Sequence, residues 1–126
     1  MAEIKRILLV EDSFYTASAM KTLLEAKGYF IEHTDDGEKA WNMIQKNDYD
    51  LILLDLMVPK KSGIEIFKDL KSNEKTKGIP VIIVTARMDV VKFSKELSGI
   101  DMFMKKPFDN IELLNAIEQL LSHKKE

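Results

Sequence analysis

The sequence predicts an α/β fold: a doubly wound parallel sheet of five strands, (βα)5, with helices on both faces. Three observations carry that prediction. Two runs, 51–54 (LILL) and 80–84 (PVIIV), are apolar without alternation, as in strands buried on both faces in the middle of a parallel sheet. Stretches of β composition take turns with stretches whose apolar residues recur at helical spacing, and short right-handed crossovers make that order a doubly wound sheet. Finally, Glu11-Asp12, Asp55, Thr85 and Lys106 all follow expected strands, at the carboxyl ends where open α/β sheets place their ligand crevices.

The elements follow in order. Residues 4–10 (IKRILLV) form the first strand and lead into Glu11-Asp12. Over 14–27, Tyr15, Ala19, Met20, Leu23 and Leu24 fall at helix spacing, with Asp12 or Ser13 as cap and Gly28 as the stop. Residues 29–33 make a short strand, and Thr34-Asp35-Asp36-Gly37 a turn and N-cap cluster before a helix over 38–46 that buries Ala40, Trp41 and Ile44. The central strand ends at Asp55. Ser62-Gly-Ile-Glu65 has the capping-box spacing and opens a third helix with Ile66, Phe67 and Leu70 inward. Residues 73–78 are a polar connector to the strand 80–84, which ends at Thr85-Ala86. A weaker helix over 89–98 carries β-branched Val90 and Val91 and stops at Gly99. Residues 101–104 form a fifth strand, broken by Lys105-Lys106-Pro107. Asp109 caps a last helix with the stripe Ile111, Leu114, Ile117, Leu120 and Leu121. One domain fills residues 1–126, with its core from about 4 to 121.

Bulk composition narrows the function. The chain has 126 residues, 45% apolar and 32% charged, enough for a core without disulfide or metal staples. Nineteen basic residues against twenty-one acidic ones leave a formal charge of −2, which argues against a nucleic-acid-binding face. The absence of Cys removes thiolate metal sites and Cys nucleophiles and fits a reducing compartment. No apolar run reaches membrane-spanning length, so the expected setting is cytoplasmic.

If the first, third and fourth strands are neighbours, the acids converge on one crevice. Clustered carboxylates repel, and a shared proton or a cation resolves the repulsion. Oxygen ligands without His or Cys point to a hard ion such as Mg²⁺. Lysine and hydroxyl on the other side make a place for an anion. Together these suggest a phosphoryl group carried by one of the acids.

On these residues the chain resembles the receiver domains of two-component response regulators over essentially its whole length. The family's acidic pair corresponds to Glu11 and Asp12, its phospho-accepting Asp to Asp55 within DLMVP, its Thr/Ser and small residue to Thr85-Ala86, and its Lys-Pro to Lys106-Pro107. The resemblance implies that Asp55 takes a phosphoryl group from a sensor histidine kinase or histidine phosphotransfer protein. It implies Mg²⁺, or Mn²⁺ in its place, held by Asp12, Asp55 and the backbone carbonyl of Met57, with Glu11 orienting a water. Lys106 pairs with one phosphoryl oxygen, and the Thr85 hydroxyl moves to reach another. Phe103 matches the aromatic that fills the space left by Thr85, and Met57 and Arg87 flank the phosphoryl group. The switched face is the one made by the helix over 89–98, the fifth strand and the last helix, which a downstream protein target reads. Such a module is not an enzyme in its own right, binds neither nucleic acid nor membrane, and is a monomer or weak dimer.

The sequence departs from the family pattern in places. Phe103 stands where Tyr is frequent, the segment between Thr85 and Gly99 is one residue short, and Ile100 and Met102 replace the usual Ala and Asp. Plainer roles stand beside the sharper ones: Asp12 as a helix cap, Thr85 bonded to its own backbone, Phe103 as core packing. His33 and His123 have no companions at metal or triad spacing and read as bystanders. A haloacid-dehalogenase phosphatase wants a second Asp where Met57 stands, and a flavin-binding flavodoxin wants a phosphate loop where Glu11-Asp12 stand. A degenerate receiver that works without phosphorylation is the remaining alternative. Met1 and the short tail suit a stand-alone regulator; the other option is a receiver cut from a longer protein.

Overall fold

The computed structural model describes residues 3–87, 97 and 99–122. Five strands, β1 (Arg6–Val10), β2 (Phe30–Thr34), β3 (Leu51–Leu54), β4 (Val81–Thr85) and β5 (Met102–Lys105), run parallel in the order β2-β1-β3-β4-β5. The described helices are α1 (Phe14–Glu25), α2 (Gly37–Lys46), α3 (Gly63–Ser72) and α4 (Asn110–Ser122). The helix expected over 89–98 falls, apart from Leu97, outside the described residues, as does His123.

Strand alternation splits the core into two layers. Ile7, Leu9, Leu51, Leu53, Ile82 and Val84 face α1 and α4, whereas Leu8, Val10, Ile52, Leu54, Val81 and Ile83 face α2 and α3. Every residue of β3 and β4 is buried, so these strands are apolar on both faces because both faces are covered.

Local chemistry sets the helix ends. The Ser13 hydroxyl accepts from the Thr16 N–H at 3.3 Å and so caps α1, which leaves Asp12 free of that job. Asp36 caps α2 through the Lys39 N–H at 2.9 Å, and Ser62 and Glu65 close the expected capping box at α3. The Asp109 carboxylate accepts from the Ile111 N–H at 2.7 Å, as its expected capping role requires.

Two helix phases differ from the sequence reading. In α1 the buried stripe is Ala17, Met20 and Leu24, and Tyr15 is 85% exposed. Ala17, with its small side chain, faces the sheet, so Tyr15 and Ala19 turn outward. In α4 the buried residues are Leu113, Ala116 and Ile117, while Ile111 is 67% exposed. Two apolar stripes overlap along this helix, both containing Ile117, and packing on β4 and β5 selects the one that starts at Leu113. The strands β2, β4 and β5 each lie one residue later than the sequence suggests, a shift set by cross-strand bonds such as Phe30 N–H to the Lys5 carbonyl. Trp41 is only partly buried, against the edge of the α2–α3 layer.

Candidate functional site

The register delivers the site. Val10 pairs with Leu54 and Thr85 with Lys105, so Glu11, Asp55 and Lys106 leave their strands at nearly one level. Hydrogen bonds carry the ladder one residue further: Asp55 N–H donates to the Val10 carbonyl and Lys106 N–H to the Thr85 carbonyl. The adjacency of β1, β3 and β4 on which convergence depended is therefore present.

Glu11 is 2% exposed and Asp55 5%, whereas Asp12 reaches solvent. Each of the three offers a carboxylate oxygen, all within 4.8 Å of one another. Lys106 Nζ lies between two of them, 2.6 Å from Glu11 Oε1 and 2.9 Å from Asp55 Oδ2. The other oxygens are also engaged. Glu11 Oε2 accepts from the Ser13 N–H at 3.1 Å, and Asp55 Oδ1 from the Met57 N–H at 3.0 Å. Thr85 is fully buried, and its hydroxyl oxygen accepts from the Arg87 N–H at 3.1 Å. That bond occupies a lone pair and leaves the hydroxyl hydrogen available to a further acceptor.

The electrostatics match this geometry. Burial pushes the Glu11 carboxyl above its ordinary value, against the opposing pull of Lys106 and the Ser13 N–H. Burial also pulls Lys106 down, but its hydrogen bonds to Asp55 and Glu11 and their charges outweigh that and hold it above the usual lysine range. Lys106 thus keeps its ammonium beside the acids. Three carboxyl groups crowd around one ammonium, and a divalent cation would offset their excess of negative charge. Their all-oxygen donor set fits Mg²⁺ or Mn²⁺, and Asp12 gives the pocket an open, hydrated side.

Of the residues singled out from sequence, Glu11, Asp12, Asp55 and Lys106 are brought together, Met57 and Arg87 touch the site through their amides, and Thr85 ends the adjacent strand. Phe103 stands apart. It is 46% exposed on β5, so plain core packing does not describe it. His33 is more than a bystander: its Nε2–H donates to the Glu11 carbonyl at 2.8 Å. The pairing of β2 with β1 places it there, and nothing in local sequence announces it. Beside the acids, a groove of about 620 Å³ runs between α1 and the turn after β5, lined by Tyr15, Met20, Ala86, Lys106 and Phe108.

Fold and site together define a class. The family model described as the response regulator receiver domain matches residues 7–118. Response regulator ArlR of Staphylococcus saprophyticus is 38% identical over 117 residues, covering 92% of this chain and 52% of that protein. Transcriptional regulatory protein CpxR of Escherichia coli K12 is 40% identical over 119 residues, covering 92% of this chain and 49% of that protein. The chain thus spans about half the length of the curated relatives it matches. Among solved structures, the receiver domain of sensor histidine kinase PA1611 from Pseudomonas aeruginosa, with a magnesium ion coordinated in its active-site cleft, superposes with a TM-score of 0.87 at 25% identity, covering 95% of this chain and 99% of that one. A CheY-like receiver domain protein from Methanospirillum hungatei gives 0.87 at 26% identity, covering 98% of each chain. The chain belongs to the response regulator receiver domain family, the phosphoacceptor modules of two-component signalling. No described helix is long and apolar enough to cross a membrane.

Proposed function

We propose that Asp55 is the phosphoacceptor and that the donor is the phosphohistidine of a sensor histidine kinase or histidine phosphotransfer protein. The observation that carries this is the setting of Asp55: nearly buried, one oxygen held by the Met57 N–H, the other by Lys106, in a pocket of three carboxylates. A carboxylate oxygen attacks phosphorus, the new O–P bond forms as the N–P bond breaks, and the imidazole nitrogen leaves with the bonding pair. Glu11, Asp12, Asp55 and the Met57 carbonyl are the groups that would hold Mg²⁺ or Mn²⁺, which supplies positive charge against the phosphoryl oxygens when bound.

Lys106 needs only a short movement to follow the charge from the Asp55 carboxylate onto a phosphoryl oxygen, where it acts by position and charge. The Thr85 hydroxyl keeps a hydrogen to donate to another oxygen while still accepting from Arg87. Its movement toward the phosphoryl group opens space behind it, and Phe103, half-exposed on β5, is the ring that fills it. The partner face then consists of segment 89–98, β5 and α4, read by a downstream protein target. Met57 and Arg87 border the phosphoryl group and govern water access. On this reading the chain catalyses nothing beyond its own phosphorylation and dephosphorylation, and it acts on the cytoplasmic side, as monomer or weak dimer, through proteins rather than nucleic acid.

The test is incubation with acetyl phosphate with and without Mg²⁺, followed by intact mass, for wild type and Asp55→Asn. The expected result is a labile, Mg²⁺-dependent gain of one phosphoryl group in wild type alone. No gain from acetyl phosphate or from a phosphohistidine donor, with no Mg²⁺ binding in wild type, would replace this reading with a phosphorylation-independent interaction module.

A further inference from the structure

The stretch that carries Asp55 and Met57 runs from the end of β3 to the start of α3, and two helix starts grip it. Gly37 is the first residue of α2 and Gly63 the first of α3. First-turn N–H groups have no partner within their own helix. Here the Gly37 N–H donates to the Pro59 carbonyl at 3.0 Å, and the Gly63 N–H donates to the Leu56 carbonyl at 3.0 Å. Both approaches depend on the missing side chain. A Cβ on Gly37 would lie 1.6 Å from the Lys61 carbonyl oxygen and 2.5 Å from its carbonyl carbon. On Gly63 it would lie 2.5 Å from the Asp55 carbonyl oxygen and 2.6 Å from Leu56 Cα. These obstacles are backbone atoms, so no rotamer change clears them; the loop or the helix must move.

Other contacts brace the same loop. Lys60 has a φ of 73°, a left-handed backbone that few residues with a side chain adopt, and its ammonium lies 3.8 Å from Asp36, the α2 cap. Lys61 pairs with Asp69 on α3 and stands over the Trp41 ring on α2, 5.6 Å from its centre. The loop is thus tied to both helices, with Asp55 and Met57 at the Gly63 end.

We propose that Gly37 and Gly63 are positioning residues of the acceptor site, a two-point clamp on loop 55–61 that fixes the Asp55 carboxylate and the Met57 carbonyl for metal and phosphoryl group. The proposal rests on the reading of Asp55 as phosphoacceptor. Neither glycine touches the reacting atoms; each acts through the loop backbone. An alanine at Gly37 forces an opening of about 1.4 Å to reach the 3.0 Å below which such contacts essentially do not occur. A misplacement of about 1 Å in a reacting constellation can cost about a hundredfold in rate.

The test compares wild type with Gly37→Ala, Gly63→Ala and Gly78→Ala, the last a control whose added Cβ meets nothing within 4 Å. Mg²⁺ affinity is read from amide chemical shifts of residues 55–61, and phosphoryl uptake from acetyl phosphate by intact mass. Both clamp variants are expected to melt cooperatively, bind Mg²⁺ at least about tenfold more weakly and take up phosphoryl at least about tenfold more slowly. The control should stay within about twofold of wild type on both readouts. Folded clamp variants that match wild type in Mg²⁺ affinity and uptake overturn the proposal. Should a variant not fold, hydrogen exchange on wild type decides: slow exchange at the Gly37 and Gly63 amides supports the clamp, and exchange at unprotected rates overturns it. Wild-type protein that takes neither Mg²⁺ nor phosphoryl overturns the reading on which the proposal rests. That outcome is told apart from failure of the clamp itself, because amide exchange still reports the clamp intact.

Discussion

Replacing Lys106 by methionine keeps most of the side chain's length and volume and removes its charge. The ammonium lies 2.6 Å from Glu11 and 2.9 Å from Asp55, and both carboxylates are almost fully buried. Deleting one partner of a buried ion pair costs about 3–5 kcal/mol, because the remaining charge is left uncompensated. Two features of this site lower that figure. The Lys106 side chain is 21% exposed, so solvent screens part of the interaction. Glu11, already pushed up by burial, can take a proton in the variant and shed its charge. A net loss of about 2 kcal/mol at about pH 7 follows, which for a domain of this size lowers Tm by about 8 °C. Bound Mg²⁺ restores positive charge to the pocket, so the Mg²⁺-induced rise in Tm should be larger in Lys106→Met than in wild type. Thermal melts by circular dichroism in EDTA and in saturating Mg²⁺ measure both quantities. A drop below about 2 °C in EDTA, or equal Mg²⁺ increments in the two proteins, refutes the charge-balance argument.

Two further predictions test the packing and the caps. Leu113→Ala should cost about 3 kcal/mol, since Leu113 is fully buried, while Ile111→Ala should stay within about 0.5 kcal/mol; urea melts that reverse this order would mean α4 is rotated to the stripe containing Ile111. Asp36 is held below its ordinary value of 3.8, chiefly by the Lys39 N–H it caps. Its contribution to stability is therefore present above that value and lost as pH falls through the lower, folded-state value. The Tm gap between wild type and Asp36→Ala should be constant near neutral pH and shrink only in that acidic window; a gap that instead closes between about pH 5 and 7 contradicts the assignment.

Much of this molecule was legible before its structure. The apolar runs that end at Asp55 and Thr85, short and bounded by turn residues, read as two-sided strands, and a strand's carboxyl end is a fixed address in an open α/β sheet. Asp12, Asp55 and Lys106 were therefore expected in one crevice if β1, β3 and β4 were neighbours, and the sheet order makes them so. The capping box at Ser62 is a local signal, and it formed as written. What local signals could not carry was phase and long-range contact. Helices α1 and α4 have apolar residues on overlapping stripes, and only the sheet beneath decides that Ala17 and Leu113 go inward. Lys106 bridging to Glu11 links residues 95 apart, and the His33 bond to the Glu11 carbonyl depends on strand pairing. Gly37 read as an ordinary turn glycine, because its constraint comes from the Lys61 backbone rather than from its own φ.

If Asp55 is the phosphoacceptor, it carries the phosphoryl group as an acyl phosphate. Borohydride reduction of phosphorylated protein converts such an aspartate to homoserine, and peptide mass spectrometry then locates it. Homoserine is expected at position 55 and nowhere else, only in samples treated with donor and Mg²⁺. Conversion at Asp12 instead, or a phosphoryl group on His33 that survives the reduction, would contradict it.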